Sequence, residues 1–260
     1  MSMEDPLLHL RLAGVTRLSL EGGRGPKDAF LFDPHRLALP SWGLALGDRK
    51  GALLLTLDRH FDLVPPNAQS LEALPTEGYT LRQLDEYARW TLDVRNYDHI
   101  LAAMELGLVG DVIAIARGSP RGAFDRDTYT DRRGETHTLL RAPTIDRVAH
   151  GFATTPAGTT SDVGALIAKA GAIILDVDLD CFTTLSDADP TEVVPWPREL
   201  IRRHLLPAGS EAFWDAVLAK CPVLTFAREP AHCGGVIAAN RLFEDAAEVL
   251  FRELLRTDPP

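Results

Sequence analysis

Gly171–Phe182 reads GAIILDVDLDCF, in which four consecutive apolar residues run straight into Asp176, Asp178 and Asp180. Apolarity at successive rather than alternate positions marks a strand covered on both faces, as in a parallel sheet between helices. Gly51–Leu63, GALLLTLDRHFDL, repeats the pattern and ends in Asp58, His60 and Asp62. Working outward from these two, strands are expected at Val15–Leu20, Ala29–Phe32, Ala52–Leu57, Asp111–Ala116, Ala172–Val177 and Val223–Ala227. Helical patterns alternate with them at Thr80–Leu92, Tyr97–Leu106, Ser161–Ala170, Glu211–Lys220 and Val236–Arg256. Thr80 and Ser161 are the expected N-caps, and Gly107 and Gly171 the expected stops. The alternation predicts an α/β fold, a three-layer α/β/α sandwich on a mainly parallel central sheet, as one domain over 1–260. Gly118–Thr160 has no strong period and reads as a loop-rich excursion; Pro65–Pro75 reads as a second loop beside a strand end.

The composition narrows the function. The chain has 260 residues, 45% of them hydrophobic, enough for a core without staples. Lys+Arg total 27 against Asp+Glu 37, a net charge of −10, so the basic surface needed for nucleic acid or anionic membranes is missing. Lysine occurs only at Lys27, Lys50, Lys169 and Lys220, leaving few candidates for lysine-based catalysis. Cys181, Cys221 and Cys233 show no CxxC or Cys/His spacing and read as buried, reduced thiols. With no signal segment and no apolar run of membrane-spanning length, a cytoplasmic location is expected.

While a chain stays extended, alternate side chains share a face, so Asp58, His60 and Asp62 converge at one strand end. Asp176, Asp178 and Asp180 do the same at another. Five carboxylates brought together resist joint ionisation unless cations neutralise them, and divalent metal is the simple resolution. Carboxylates with imidazole and no thiolate favour Mn²⁺ over zinc. The ligand count suits two ions about 3.5–4 Å apart. His35, in FLFDPHRLALPSW at Phe30–Trp42, also follows a strand and precedes a helix, and it joins the set as a further ligand.

These segments resemble the arginase/agmatinase (ureohydrolase) superfamily, which shares its fold with deacetylase-like amidohydrolases. LDRHFDL at Leu57–Leu63 is similar to that family's DxHxD, and LDVDLD at Leu175–Asp180 to its DxD. The order DPHRLALPSW, LDRHFDL, NYDHILAAMELGLVGDVIAI, LDVDLDCF, spanning most of Phe30–Phe182, is most similar to the arginase-like branch containing the peptide arginases of ribosomal-peptide biosynthesis. The resemblance implies two Mn²⁺ ions and hydrolysis of peptidyl arginine to peptidyl ornithine and urea through a metal-bridging hydroxide. The partner it implies is an arginine-containing precursor peptide; a homo-oligomer stays open. Carried over by position, His35, Asp58, Asp62 and Asp176 would hold one ion, and His60, Asp58, Asp176 and Asp178 the other. Asp180 would lie behind them, with a frame shifted by two residues, to Asp178 and Asp180, left open. The GGDH around the first histidine of free-arginine arginases is replaced here by FDPH, which turns the expectation away from free arginine.

Glu229, in VLTFAREPAHCGG at Val223–Gly235, lies where related enzymes place a carboxylate that orients the substrate cation. The bland alternative is an ion pair with Arg228. His99 is a candidate general acid/base, and Asn96 and Asp98 are candidate substrate contacts, against a plain helix-start cluster with Asn96 as N-cap. Three rivals remain. A deacetylase-like amidohydrolase acting on an acylated amine shares the fold, and a non-catalytic metal-binding module shares the ligands. IILDVDLD is superficially similar to an aspartyl-phosphate phosphatase motif, which the scarcity of lysine disfavours.

Overall fold

The computed structural model describes residues 12–20, 25–75, 78–117, 125–153 and 162–255. The chain runs β1 (Val15–Leu20), β2 (Lys27–Phe32), a 3-10 turn (His35–Leu37), α1 (Ala38–Leu46), β3 (Ala52–Asp58), α2 (Ala68–Glu72), α3 (Leu81–Trp90), α4 (His99–Glu105), β4 (Val109–Ala116), β5 (Asp125–Thr130) and β6 (Thr136–Ala142). It continues through α5 (Ile145–Ala153), α6 (Asp162–Lys169), β7 (Ile173–Asp178), a second 3-10 turn (Leu179–Phe182), β8 (Thr183–Leu185), β9 (Val193–Pro195), α7 (Arg198–Leu205), α8 (Glu211–Leu218), β10 (Val223–Ala227) and α9 (Val236–Glu248), which passes into a π-helical stretch over Val249–Leu254.

Eight strands form one sheet in the order β1-β2-β10-β7-β3-β4-β6-β5. The six inner strands are parallel, and β1 and β5 close the edges antiparallel. The short β8–β9 hairpin stands apart. Strands β3 and β7 are neighbours, but β3 leads on to β4 on one side while β7 leads to β10 on the other. Such a divergence opens a crevice beyond the carboxyl ends of the two strands, where open α/β sheets bind ligands.

Side-chain alternation sorts the core into two layers. Leu53, Leu55 and Leu57 of β3 and Ile173, Leu175 and Val177 of β7 pack on the face covered by α5 to α9. Leu54 and Ile174 face the opposite way, against α1, α3 and α4. Both faces of these strands are therefore buried, which is why their sequences are apolar without a break. On the α1/α3/α4 face the same period of two leads from Leu54 to Thr56 and Asp58, and from Ile174 to Asp176 and Asp178. The three-layer α/β/α sandwich is thus present, and its strand ends carry the acidic motifs.

Helix α3 begins as expected, with Thr80 and Gln83 forming a reciprocal capping box. Ser161 lies outside the described residues, as do 118–124 and 154–160 of the expected excursion. The remainder of that excursion is structured, as β5, β6 and α5, and β6 extends the parallel sheet beside β4. Its sequence carries little hydrophobic period because β5 (DRDTYT) is an exposed edge strand. Arg141 of β6 bridges Asp125 and Asp127 of β5 at 3.1 Å each. A charged edge of this kind discourages pairing with other chains. The Pro65–Pro75 loop contains the short helix α2, capped by Asn67.

Among the described residues no helix is long and apolar enough to cross a membrane. Because Leu54 is fully buried between β3 and the helices of the site-bearing layer, Leu54→Ala should cost about 2–5 kcal/mol. Urea denaturation would show this as a lower midpoint with an unchanged slope.

Candidate metal centre

The parallel register puts the carboxyl ends of β2, β3, β7 and β10 side by side. His35 follows β2, Asp58 ends β3, Asp178 ends β7, and Glu229 follows β10. Backbone pairing continues past two of these strand ends, with the Arg228 amide donating to the Phe32 carbonyl at 2.8 Å and the Glu229 amide to the Asp33 carbonyl at 3.1 Å. The His35 and Glu229 loops are thereby tied together.

His35 is fully buried, and its two ring nitrogens meet different surroundings. Nε2 lies 2.8 Å from an oxygen of Asp176. Nδ1 faces oxygens of Asp178 at 3.2 Å, Asp62 at 3.4 Å and Asp58 at 3.7 Å, and has no hydrogen-bond partner among the described residues. Adjacent donor atoms around one divalent ion with bonds near 2.1 Å stand about 3.0–3.6 Å apart. Asp178 and Asp62 stand within that range of Nδ1, and Asp58 just beyond it.

The acids divide by how their oxygens are used. Asp58 accepts the His60 amide at 2.8 Å through Oδ1, and its Oδ2 is buried with no partner. Asp178 accepts the Asp180 amide at 3.1 Å through Oδ1, leaving Oδ2 toward His35. Asp180 accepts the Arg59 amide at 3.2 Å through Oδ1, leaving Oδ2 3.4 Å from His60 Nδ1. Each of these three is anchored by one oxygen and presents the other. Asp176 differs, because both of its oxygens are engaged: Thr56 and His35 on Oδ2, Thr225 on Oδ1. Asp176, expected as a ligand in both ion positions, thus meets protein partners through both oxygens, whereas the other three acids each keep one oxygen for the cluster.

Two groupings result that can hold a metal, His35 with Asp58 and Asp178, and Asp58 with His60 and Asp180. Asp62 joins His35 and His99 in a third. The His60 side chain is 59% exposed whereas His35 is sealed, so the cluster runs from the interior to solvent. A fourth grouping, Asp131 with Glu135 and His137, lies on the β5–β6 turn. There Arg133 and two backbone amides already occupy the Asp131 carboxylate. The 570 Å³ cavity at the amino ends of β3, β4 and β6 lies away from the cluster, between ion-paired side chains such as Lys169 and Asp111.

No family model matches the chain, and no curated protein matches its sequence.

The electrostatics follow from the crowding. Burial, then Asp62, Asp178 and Asp180, push the Asp58 carboxyl well above the usual range. Burial and Asp180 do the same to Asp178. Burial alone would lower the His35 imidazole, yet Asp176, Asp178 and Asp62 hold it well above the ordinary histidine value. Burial also opposes ionisation of Asp176, but His35, His99 and the Thr225 hydroxyl outweigh it and keep that acid below the usual range.

The remaining expected residues separate clearly. Glu229 accepts the His35 amide at 3.0 Å and the Asn96 side-chain amide on Oε1, while Oε2 lies 3.7 Å from His232. Its pairing is thus not with Arg228, which binds Asp33. Asn96 does not cap α4: its oxygen takes Arg36 at 2.8 Å, which turns its NH₂ to Glu229. The Asp98 carboxylate is buried and receives the Asp93 amide at 3.1 Å, closing a loop. His99 is buried completely, and burial with the neighbouring His35 pushes it down to about 4. Nδ1 lies 2.7 Å from the Asn96 carbonyl, which makes it the N–H donor and leaves Nε2 unpaired inside the cluster. Asp62, Asn96 and Glu229 all have positive φ, at 49°, 63° and 36°, and are the non-glycine residues with that conformation among those described. Strain of this kind concentrates at functional sites.

Thr56, Thr225 and Arg36 escaped the sequence reading. The signal for the first two is a lone hydroxyl inside an otherwise apolar strand, ALLLTLD and VLTFA.

The raised acids Asp58 and Asp178 keep a proton to higher pH than ordinary carboxylates, and a metal must displace it. Mn²⁺ affinity should therefore rise with pH, with net proton release on binding. Calorimetry at pH 6 in two buffers of unlike ionisation enthalpy measures that release; equal heats would contradict it. Relief of like charge should also make chelator-treated Asp178→Asn more thermostable than metal-free wild type. A rise in Tm on the order of 2–4 °C corresponds to about 1 kcal/mol in a domain of this size, and Mn²⁺ should stabilise the wild type more than the variant.

Proposed function

We propose that the chain is a binuclear manganese hydrolase acting on the guanidinium of a peptidyl arginine, releasing urea and leaving peptidyl ornithine. The observation that carries this reading is the set of buried donor atoms without partners, His35 Nδ1, Asp58 Oδ2 and His99 Nε2, gathered among carboxylates. Their mix of carboxylate and imidazole suits manganese. His35, Asp58, Asp62 and Asp178 would hold the inner ion; Asp58, His60, Asp178 and Asp180 would hold the outer one. Bound there, the metals would supply a water of lowered pKa as nucleophile.

The protein's own part is to place the guanidinium. Glu229 Oε1 is fixed by the His35 amide and by Asn96, so Oε2 is presented without freedom to turn away. A fixed carboxylate oxygen accepts charge-assisted hydrogen bonds from a guanidinium and orients its carbon toward the nucleophile. Arg36 supports this by holding the Asn96 amide in one orientation. His99, neutral at pH 7 and sealed from solvent, keeps its Nε2 lone pair inside the cluster and is poorly placed to exchange protons with water. The exposed His232, beside Glu229, has that access. The attacking water's oxygen becomes the urea oxygen, and as the bond from the side-chain nitrogen to the guanidinium carbon breaks, that nitrogen takes a proton originating from the same water, giving ornithine and urea.

A peptide substrate is favoured over a free amino acid by the surroundings. Val64 and Val94, in loops that carry site residues, and Val236 and Ile237, at the start of α9, are exposed. Apolar surface of this kind is covered by a polypeptide and left bare by a free amino acid.

Mn²⁺-loaded protein incubated with an arginine-containing peptide should release urea and lower the peptide mass by one cyanamide equivalent per residue modified. Asp58→Ala and Asp178→Ala should abolish turnover. Glu229→Gln should lower kcat/KM by about 10- to 150-fold, the loss of one charge-assisted hydrogen bond. Deacylation of an acyl-lysine peptide without urea release would instead support the amidohydrolase reading, and free arginine processed as well as peptide would remove the peptide-specific part.

A further inference from the structure

We infer that Asp176 is a positioning residue that aims His35 at the inner ion, held for this task by Thr56 and Thr225; the inference rests on the binuclear reading above. In the sheet register Asp176 pairs with Thr225 of β10 on one side and with Thr56 of β3 on the other. The three side chains therefore form a row across three parallel strands on the α1/α3/α4 face. The Thr225 hydroxyl donates to Asp176 Oδ1 at 2.5 Å, and the Thr56 hydroxyl donates to Oδ2 at 2.9 Å. Trp42 of α1 donates its indole N–H to the Thr225 oxygen at 3.1 Å, which leaves the Thr225 proton for Asp176.

Held in this way, the Asp176 carboxylate cannot rotate, and it offers Oδ2 to His35 Nε2 at 2.8 Å. An N–H on Nε2 puts the lone pair of neutral His35 on Nδ1, the atom facing Asp58, Asp62 and Asp178. A carboxylate behind a ligating histidine selects the tautomer, fixes the ring plane and raises the basicity of the far nitrogen. The contrast with Asp58, Asp178 and Asp180 is what separates the roles, since each of those uses one oxygen on a backbone amide and keeps the other for the cluster. Of the three acids in DVDLD, the first therefore serves the histidine and the next two serve the ions.

The test counts metals as well as measuring affinity. Wild type, Asp176→Asn, Thr225→Val, Thr225→Ser and Thr56→Val are titrated with Mn²⁺ by calorimetry, and bound manganese is counted after desalting from excess metal. Asp176→Asn keeps an oxygen for His35 and should still take two ions per chain, with the tighter Kd weakened by about 10–100-fold. Thr225→Val and Thr56→Val, which preserve shape, should weaken Mn²⁺ in the same direction. Thr225→Ser, which restores the hydroxyl, should recover most of the wild-type affinity; a purely structural role would not distinguish serine from valine in this way. Loss of one manganese per chain in Asp176→Asn, with both valine variants unaffected, would make Asp176 a ligand and overturn the inference while leaving the metal centre standing. Unchanged affinity in all the variants would also overturn it. Failure of wild type to bind manganese would remove the metal centre itself. Should Asp176→Asn not fold, the valine–serine comparison at position 225 decides alone.

Discussion

The crowding of acids about one buried imidazole is the constraint on which the rest of this molecule depends. Asp58, Asp62 and Asp178 each bring an oxygen within 3.2–3.7 Å of His35 Nδ1. Left to themselves, like charges at such separations move apart or take up protons. Here they cannot move apart, because Asp58 and Asp178 end adjacent parallel strands whose register is set residue by residue along β3 and β7. Those strands are held by apolar packing on both faces, and sliding one would expose its leucines and isoleucines. The hydrophobic layers therefore hold together an acidic cluster that is unfavourable by itself, and on the proposed reading a bound cation would relieve what they enforce.

The same logic extends to the backbone. Asp62, Asn96 and Glu229 sit in left-handed conformations that an L-residue adopts at a cost. None lies within a strand or helix, and each is fastened from outside its own loop. Val64, beyond Asp62, donates its amide to the Tyr97 carbonyl at 3.2 Å. The Glu229 amide is held by the Asp33 carbonyl and its carboxylate by the His35 amide. Asn96 is held by Arg36. The loops after β2, β3 and β10 and the loop before α4 are thus braced against one another, so a substitution in one disturbs the others. Effects of mutations within this set should not add.

Legibility from the sequence followed burial. Strands covered on both faces announce themselves as unbroken apolar runs, so β3, β7 and β10 were readable to within a residue or so. β5 was hidden because an edge strand bears charges on its exposed surface, and β6 because His137, Thr138 and Arg141 interrupt its apolar run. In the site, residue types and spacing brought His35, Asp58, His60, Asp62, Asp178 and Asp180 to one place, whereas Glu229 and Asn96 entered through the family resemblance. Which acids of DVDLD present a free oxygen was not readable, since that depends on the hydroxyls of Thr56 and Thr225 on neighbouring strands. Alternation alone puts Asp176, Asp178 and Asp180 on an equal footing; register across the sheet, and the turn that begins at Leu179, separate them. The partner of the Asp98 carboxylate, the amide of Asp93, was equally illegible, because it is set by a loop rather than a periodic element.

Charge counting then assigns selectivity. On the proposed reading four carboxylates, those of Asp58, Asp62, Asp178 and Asp180, face two divalent ions, and their charges cancel. Asp176 remains ionised but turned away, neutralised in effect by three donors. Glu229 is then the acid of the site that no metal would offset; the cations beside it are Arg36, which shares Asn96 with it, and the exposed His232, 3.7 Å from Oε2. A site that would attract any cation when empty becomes, once loaded, nearly neutral except at one fixed oxygen. The chain's net charge of −10 therefore says little about substrate choice. A general acidic field draws cations weakly and is screened by salt, whereas a single desolvated carboxylate with fixed geometry can tell a planar guanidinium from an ammonium by the hydrogen bonds it accepts.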